Sequence, residues 1–213
     1  MRRYDRSRQT LAIALALLAG QVDATGFIVA GGYFTSFMSG NTTRLGVELF
    51  DVGTLPWIPL LLIGFFVTGV TIGSVVAARY QGRHKRILLA GIAGLLAVCS
   101  FALGAGNETA FLALAALAMG AANNVFSRDG EVTVGVTYMT GALVRTGQGL
   151  AARMMGRSTA AMRGYPSLWL ALAAGAVCGT ALYGVKPVAA GGAATALALA
   201  LCLFAFRIER RAP

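Results

Sequence analysis

Four polar side chains stand inside stretches that are otherwise apolar: Gln21 and Asp23 in the first such stretch, Asn123 and Asn124 in the fourth. Counted from Leu11, where the first apolar run opens, Asp23 lies roughly 18 Å along a helix rising about 1.5 Å per residue, near the middle of a hydrocarbon layer about 30 Å thick. An ionised carboxylate at that depth costs at least roughly 3 kcal/mol unless it is solvated or paired. Two chemistries suit such a group. A carboxyl removed from water favours its neutral form, so Asp23 can take up and release a proton, with Asn123 and Asn124 lining the same polar site. Alternatively the carboxylate and the amides hold helices together by hydrogen bonds across the bundle. The residue types leave both open. Gln21 is two positions before Asp23 and faces another side of a helix.

Other chemistry finds no support. The single histidine, His84, sits in a basic segment, and Cys99, Cys178 and Cys202 lie in apolar runs without metal-ligand spacing. There is no H-E-x-x-H, no G-x-S-x-G and no serine–lysine pairing. We therefore expect no catalytic residue, no metal, no cofactor and no enzyme activity.

A second pattern surrounds the first. Residues 36–46 read SFMSGNTTRLG and residues 137–147 read TYMTGALVRTG. Met38, Gly40, Arg44 and Gly46 recur as Met139, Gly141, Arg145 and Gly147, and Ser39 answers Thr140. Asn41 is replaced by Ala142. Upstream, Gly20 and Asp23 answer Gly120 and Asn123. We expect the glycines to redirect the chain and Ser39 and Thr140 to cap short helices that follow. These positions, with Asn41 and the two arginines, are candidate gate residues. Arg44 has Glu48 four residues on as a partner, and a contact with a gate or an anionic solute is its alternative role.

The elements that must position these groups are membrane spans. The chain has 213 residues, 57% of them hydrophobic and only 12% charged, where a soluble domain is about a quarter charged. Six runs are long enough to cross a bilayer, at roughly 11–32, 55–78, 87–104, 109–126, 167–185 and 188–206. The net charge of +10 does not point to nucleic acid, because it lies between the runs. With the N-terminus inside, segments 1–10, 79–86, 127–166 and 207–213 carry sixteen of the eighteen Lys and Arg residues, and only Arg44 and Lys186 fall outside. Both termini are then cytoplasmic. Asp129 and Glu131 read as solvated turn residues of an inner segment. Gly69 and Gly73, like Gly175 and Gly179, have the small-xxx-small spacing of helix contacts. Gly64 and Gly73 also align with Gly175 and Gly184, 111 positions later.

The expected fold is all-α, a single transmembrane domain over 1–213. Each half holds three spans, about 1–105 and 106–213. Three is odd, so the second half enters from the opposite side, which makes a 3+3 inverted-topology repeat. Secondary transporters use such repeats, with the substrate site near the midplane between them. The expectation is a permease for a small solute, with or without a proton, in the lipid bilayer and acting as a homodimer through its glycine faces. The other reading is a non-transporting scaffold or accessory subunit of a larger membrane complex.

Residues 20–46, GQVDATGFIVAGGYFTSFMSGNTTRLG, resemble the G-x-x-D-A…F-x-x-x-M-T-G-N pattern of the YoaK family, bacterial six-span membrane proteins of unknown function. Residues 120–147, GAANNVFSRDGEVTVGVTYMTGALVRTG, are similar to the G-x-x-N…T-x-M-T-G pattern of that family's second half. Ser39 stands where the family more often has threonine, and Asn124 where it more often has alanine. The resemblance covers nearly the whole chain. It implies an integral protein of the bacterial inner membrane and supplies no substrate. A fainter likeness is to half of a major-facilitator transporter: GSVVAARYQGRHKR, at 73–86, resembles the G-x-x-x-D-R-x-G-R-R loop, with Ala78 where the acidic residue would fall.

Overall fold

A computed structural model describes residues 5–50, 56–128 and 131–211, so Asp51 and Asp129 lie outside the described residues. Among these, eight α-helices form, and six segments are long and apolar enough to cross a membrane. The spanning helices are α1 (Arg6–Val29), α3 (Trp57–Arg79), α4 (His84–Gly104), α5 (Glu108–Ala122), α7 (Tyr165–Val185) and α8 (Pro187–Arg211). A 3-10 turn, Asn123–Phe126, extends α5. The two short helices, α2 (Met38–Glu48) and α6 (Met139–Met154), follow α1 and α5. The expected spans are thus all present, and the first is longer than its apolar run. Its extra turn is polar and begins where the Asp5 carboxylate accepts from the Arg8 N–H at 2.8 Å.

Local chemistry explains the breaks. Asn107 caps α5 by accepting from the Ala110 N–H at 3.0 Å. Lys186 is extended between α7 and α8, and Pro187 opens the next helix where its missing N–H is not needed. Gly31 and Gly32, at φ 63° and 110°, turn the chain after α1. The redirection falls to them and not to Gly40 and Gly141, which lie inside α2 and α6. After α5 a two-stranded hairpin, β1 (Ser127–Arg128) with β2 (Glu131–Val132), turns the chain instead.

Three helix pairs dominate the packing: α1 with α7, α4 with α8 and α3 with α5. The α4–α8 pair is a side-chain seam. Leu89, Ile92, Leu96 and Cys99 of α4 and Ala194, Ala198, Leu201, Ala205 and Ile208 of α8 are all buried. Their alternating spacings of three and four residues are those of a coiled-coil seam. Apart from Cys99, α4 supplies Leu and Ile to the seam, while three of the five α8 residues are Ala. Ser100 donates to the Val188 carbonyl at one end and the Cys202 thiol to the Arg86 carbonyl at the other, so the two helices run antiparallel.

The other two pairs are backbone contacts. A Cβ placed on Gly20 would run into the Leu172 carbonyl, and one on Gly175 into the Leu17 carbonyl. In the other pair, a Cβ on Gly120 would strike the Phe66 carbonyl and one on Gly69 the Leu117 carbonyl. In each pair the contacts advance together along both helices, so each pair is parallel. Equivalent residues are separated by 100 between α1 and α5 and by 106 between α3 and α7, as for Gly20 and Gly120 or Gly69 and Gly175. The alignment at 111 is therefore not the one the packing uses. Gly64 and Gly184, which it brought in as packing glycines, face no atom within 4 Å. The remaining contacts are matched as well: α4–α5 with α1–α8, α6–α7 with α2–α3, and α7–α8 with α3–α4.

These registers set the helix directions. The turn at 80–83 makes α4 antiparallel to α3, and 105–107 makes α5 antiparallel to α4. Because α4 also opposes α8, and α8 opposes α7, helix α5 runs opposite to α7 and to α1. One end of the bundle, reached by the start of α1, α4 and α7 and the finish of α3, α5 and α8, carries most of the basic residues; we refer to it as the basic face.

Candidate functional site

Asp23 lies six residues before the end of α1, and Asn123 sits where α5 gives way to its 3-10 turn. At about 1.5 Å per residue, Asp23 lies about 8 Å beyond the midpoint of α1, and Asn123 lies just beyond the last residue of α5. Since α1 and α5 run oppositely, the two side chains lie toward opposite ends of the bundle and do not share a midplane layer. The middle of each helix is occupied by the glycine contacts.

Each of the two groups is tied to the loop that leads into its short helix. The Asp23 Oδ1 accepts from the Ser36 N–H at 2.8 Å and from the Thr35 hydroxyl at 3.2 Å. The Asn123 Oδ1 accepts from the Thr137 hydroxyl at 3.1 Å, while its Nδ2 donates to the Met119 carbonyl at 3.1 Å. Ser36 and Thr137 are the first residues of the echoed stretches. The backbone repeats there too: the Met38 N–H donates to the Ser36 carbonyl at 3.2 Å, and the Met139 N–H to the Thr137 carbonyl at 3.1 Å. The carboxylate has gathered two donors where the amide has one. Both of these donors meet the same carboxylate oxygen, whereas the amide also donates, to its own helix. Thr35 and Thr137 are both buried, as is Asn123. The tethers bridge 12 to 14 residues, a separation at which helical periodicity says nothing.

Gln21 and Asn124 point elsewhere and join helices. Gln21 Nε2 donates to the Ala190 carbonyl of α8 at 3.2 Å. Asn124 Nδ2 donates to the Val70 carbonyl of α3 at 3.0 Å, and its Oδ1 accepts from the Ser74 hydroxyl at 2.9 Å. Gly73 gives Asn124 its room, since a Cβ there would come within 2.7 Å of the amide nitrogen. Val22, Thr25, Leu96, Cys99 and Ala194 are among the residues lining a small cavity of about 10 Å³, room for a single water. Asp23, Asn123, Asn124 and Gln21 are not among them.

The echoed motif divides by burial. Asn41 is fully buried and its amide clasps one residue: Nδ2 donates to the Phe34 carbonyl at 2.6 Å, and Oδ1 accepts from the Phe34 N–H at 2.9 Å. It thereby fixes the loop that carries Thr35 and Ser36. Met139 and Ala142 are buried and Met38 is partly so. Ser39, Thr140, Gly141 and Arg145 face outward. Ser39 and Thr140 do not cap their helices, which begin one residue earlier behind Phe37 and Tyr138 without a side-chain cap. Gly40 leaves room for the Phe37 ring, while a Cβ on Gly141 meets nothing within 4 Å.

Arg44 and Glu48 do not meet directly within 4 Å. Tyr33 stands between them: the Arg44 guanidinium lies 4.8 Å over its ring, and its hydroxyl donates to Glu48. Desolvation, and then the Glu48 carboxylate beside it, hold the Tyr33 phenol above its ordinary value, so it stays a donor. Arg145 repeats the stacking on Tyr165, at 5.1 Å. Both arginines are thus placed by aromatic rings, a preference of the planar guanidinium.

A protein-family model described as a protein of unknown function, DUF1275, matches residues 11–206. The chain belongs to the DUF1275 family. Among curated proteins it is similar to UPF0700 transmembrane protein RA0705 of Rhizobium meliloti (strain 1021), at 36% identity over 211 residues, or 99% of this chain and 91% of the relative. No solved structure matches it. As a DUF1275 member with six spanning helices, the chain is an integral membrane protein, and the family label carries no activity.

Proposed function

We propose that this chain is a small-solute permease of the bacterial inner membrane, built as a 3+3 inverted-topology repeat with both termini cytoplasmic. The observation that carries the reading is the matched pair of tethers, Asp23 to Thr35 and Ser36, and Asn123 to Thr137. Each closes the loop between a first span and its short helix, and in this reading the two close opposite faces. The reciprocal glycine contacts support the repeat, because a pseudo-two-fold axis exchanges α1–α7 with α5–α3 and maps α4–α8 onto itself. Alternating access then opens one tethered face while the other stays shut. In this reading the solute is moved without chemistry on it, and Asp23 carries a proton with it.

The homodimer proposed with this reading needs a surface other than the expected one. The faces of Gly69, Gly73, Gly175 and Gly179 are occupied by α5 and α1 within the chain. The outward sides of α3 and α7, where Gly64 and Gly184 stand clear, are what a second copy would meet.

The second reading, a scaffold or accessory subunit, is favoured by the use of Gln21, Asn123 and Asn124 in bonds within the chain. One experiment separates the two. Purified protein in liposomes loaded with a pH-sensitive dye is screened against small solutes. Solute entry accompanied by lumenal acidification, with the acidification lost in Asp23→Asn, is the expected result. No flux for any solute, together with co-purification of a fixed partner, would leave the scaffold reading standing.

A further inference from the structure

A group of basic side chains on the basic face is used by neither tether. It lies where α1 and α4 begin and α5 ends. The Lys85 Nζ donates to the Val125 carbonyl at 3.1 Å, contacts the His84 Nε2 at 3.0 Å and lies 5.5 Å over the Phe126 ring. The charge of Arg8, from the first turn of α1, acts on this ammonium, and that of Glu209, near the end of α8, acts on it with the opposite sign. Glu209 is held mainly by the backbone of α4 and by Arg86. Its Oε1 accepts the N–H groups of Lys85 and Arg86 at 3.1 and 3.4 Å, so the start of α4 already has its anion. Its Oε2 lies 3.5 Å from the Arg86 Nε. Among the described residues that is the only ion pair within 4 Å, so the cations of Arg8 and Lys85 have no carboxylate at pairing distance.

Three polar atoms in the group are enclosed without a hydrogen-bond partner: the Arg8 Nε–H, the His84 Nδ1 and the Glu209 Oε2, the last facing the Arg86 guanidinium. A charged Lys85 can only donate, so the His84 Nε2 accepts and Nδ1 carries the ring proton. Orphaned buried donors are rare, because each costs the desolvation of a group that has lost its water. Here two of them belong to the same patch as an unpaired ammonium and an unpaired guanidinium. The missing chemistry is an anion with several acceptor oxygens, held between helices at the level where headgroups lie. We propose that Arg8, His84 and Lys85 form a binding site for phosphate oxygens, presented by an anionic lipid headgroup or by free phosphate. The site is independent of whether the protein transports anything.

The test uses the full-length protein in detergent. Native mass spectrometry reads retained lipid after exchange into mixed micelles containing phosphatidylglycerol or phosphatidylcholine. Thermal unfolding reads inorganic phosphate. The wild type retains one phosphatidylglycerol in preference to phosphatidylcholine. Arg8→Gln and Lys85→Gln each weaken that retention about tenfold, the loss of roughly one charged hydrogen bond. Arg157→Gln, on the same face but outside the group, leaves it unchanged. Stabilisation by inorganic phosphate that Arg8→Gln removes, without lipid retention, supports the site and identifies the free anion as its source. Equal lipid retention by the wild type, Arg8→Gln and Arg157→Gln, or no effect of either probe, overturns the proposal. Arg8 is only partly buried, in the first turn of α1, so its variant tests the site even if Lys85→Gln does not fold.

Discussion

Asn41 is the residue whose loss should be felt most. Asn41→Ala leaves the N–H and carbonyl of Phe34 without partners in a buried place. That costs about 2–3 kcal/mol of stability, read as a lowered thermal midpoint in detergent. Ser39→Ala, two residues away on the exposed side, should leave the midpoint where it was. The residue types alone put both positions in one motif, and only the fold separates them. Polarity inside an apolar run was a sound guide to which side chains make long-range bonds: Gln21, Asp23, Asn123 and Asn124 all do. It was no guide to their partners. Asp23 and Asn123 bond to loops that follow them by 12 to 14 residues, and Gln21 to a carbonyl 169 residues on. Such distances are set by how the chain returns, which no local spacing encodes.

At the level of helices, the glycine contacts make a sharp contrast. Gly175→Ala drives a methyl into the Leu17 carbonyl and Gly120→Ala one into that of Phe66. Each should lower stability by about 1–3 kcal/mol, as overpacking does. Gly64→Ala and Gly184→Ala meet open space and should be neutral or stabilising by up to about 1 kcal/mol, since alanine is the better helix former. Thermal melts of the four variants side by side check this. The spans themselves were legible in the sequence because length and hydropathy suffice to mark a bilayer crossing. Gly69, Gly73, Gly175 and Gly179, which have the small-xxx-small spacing, are crowded by neighbouring helices in the structure. The spacing could not tell a contact inside the chain from one with a second copy, because both want the same absence of side chain.

For the molecule as a whole, the charge distribution supports an orientation that remains a proposal and that labelling in intact cells can decide. In a variant lacking the native cysteines, Phe50→Cys lies on the face opposite the basic one and Arg157→Cys on the basic face. A membrane-impermeant maleimide should modify the first and spare the second until the membrane is opened. The reverse pattern would invert the topology, and with it the side on which the phosphate site lies. How the two halves interlock was not legible in the sequence. An odd number of spans in each half pointed to the inversion, but the exchange of partners, with α1 on α7 and α5 on α3, appears only in the packing.

That exchange has a mechanical side. Where α1 crosses α7 and α5 crosses α3, main chain rests on main chain at Gly20, Gly175, Gly69 and Gly120, with no side chain wedged between at those points. One helix can roll on the other there without any rotamer having to leave its well. The α4–α8 seam is the opposite kind of joint, buried side chains interleaved along its length, and rolling it would unseat every layer at once. The bundle is thus a stiff keel carrying two bearings. Deformation will concentrate at the bearings, and a tool that clamps them, such as a crosslink between α1 and α7, should immobilise the molecule more completely than one placed anywhere on the keel.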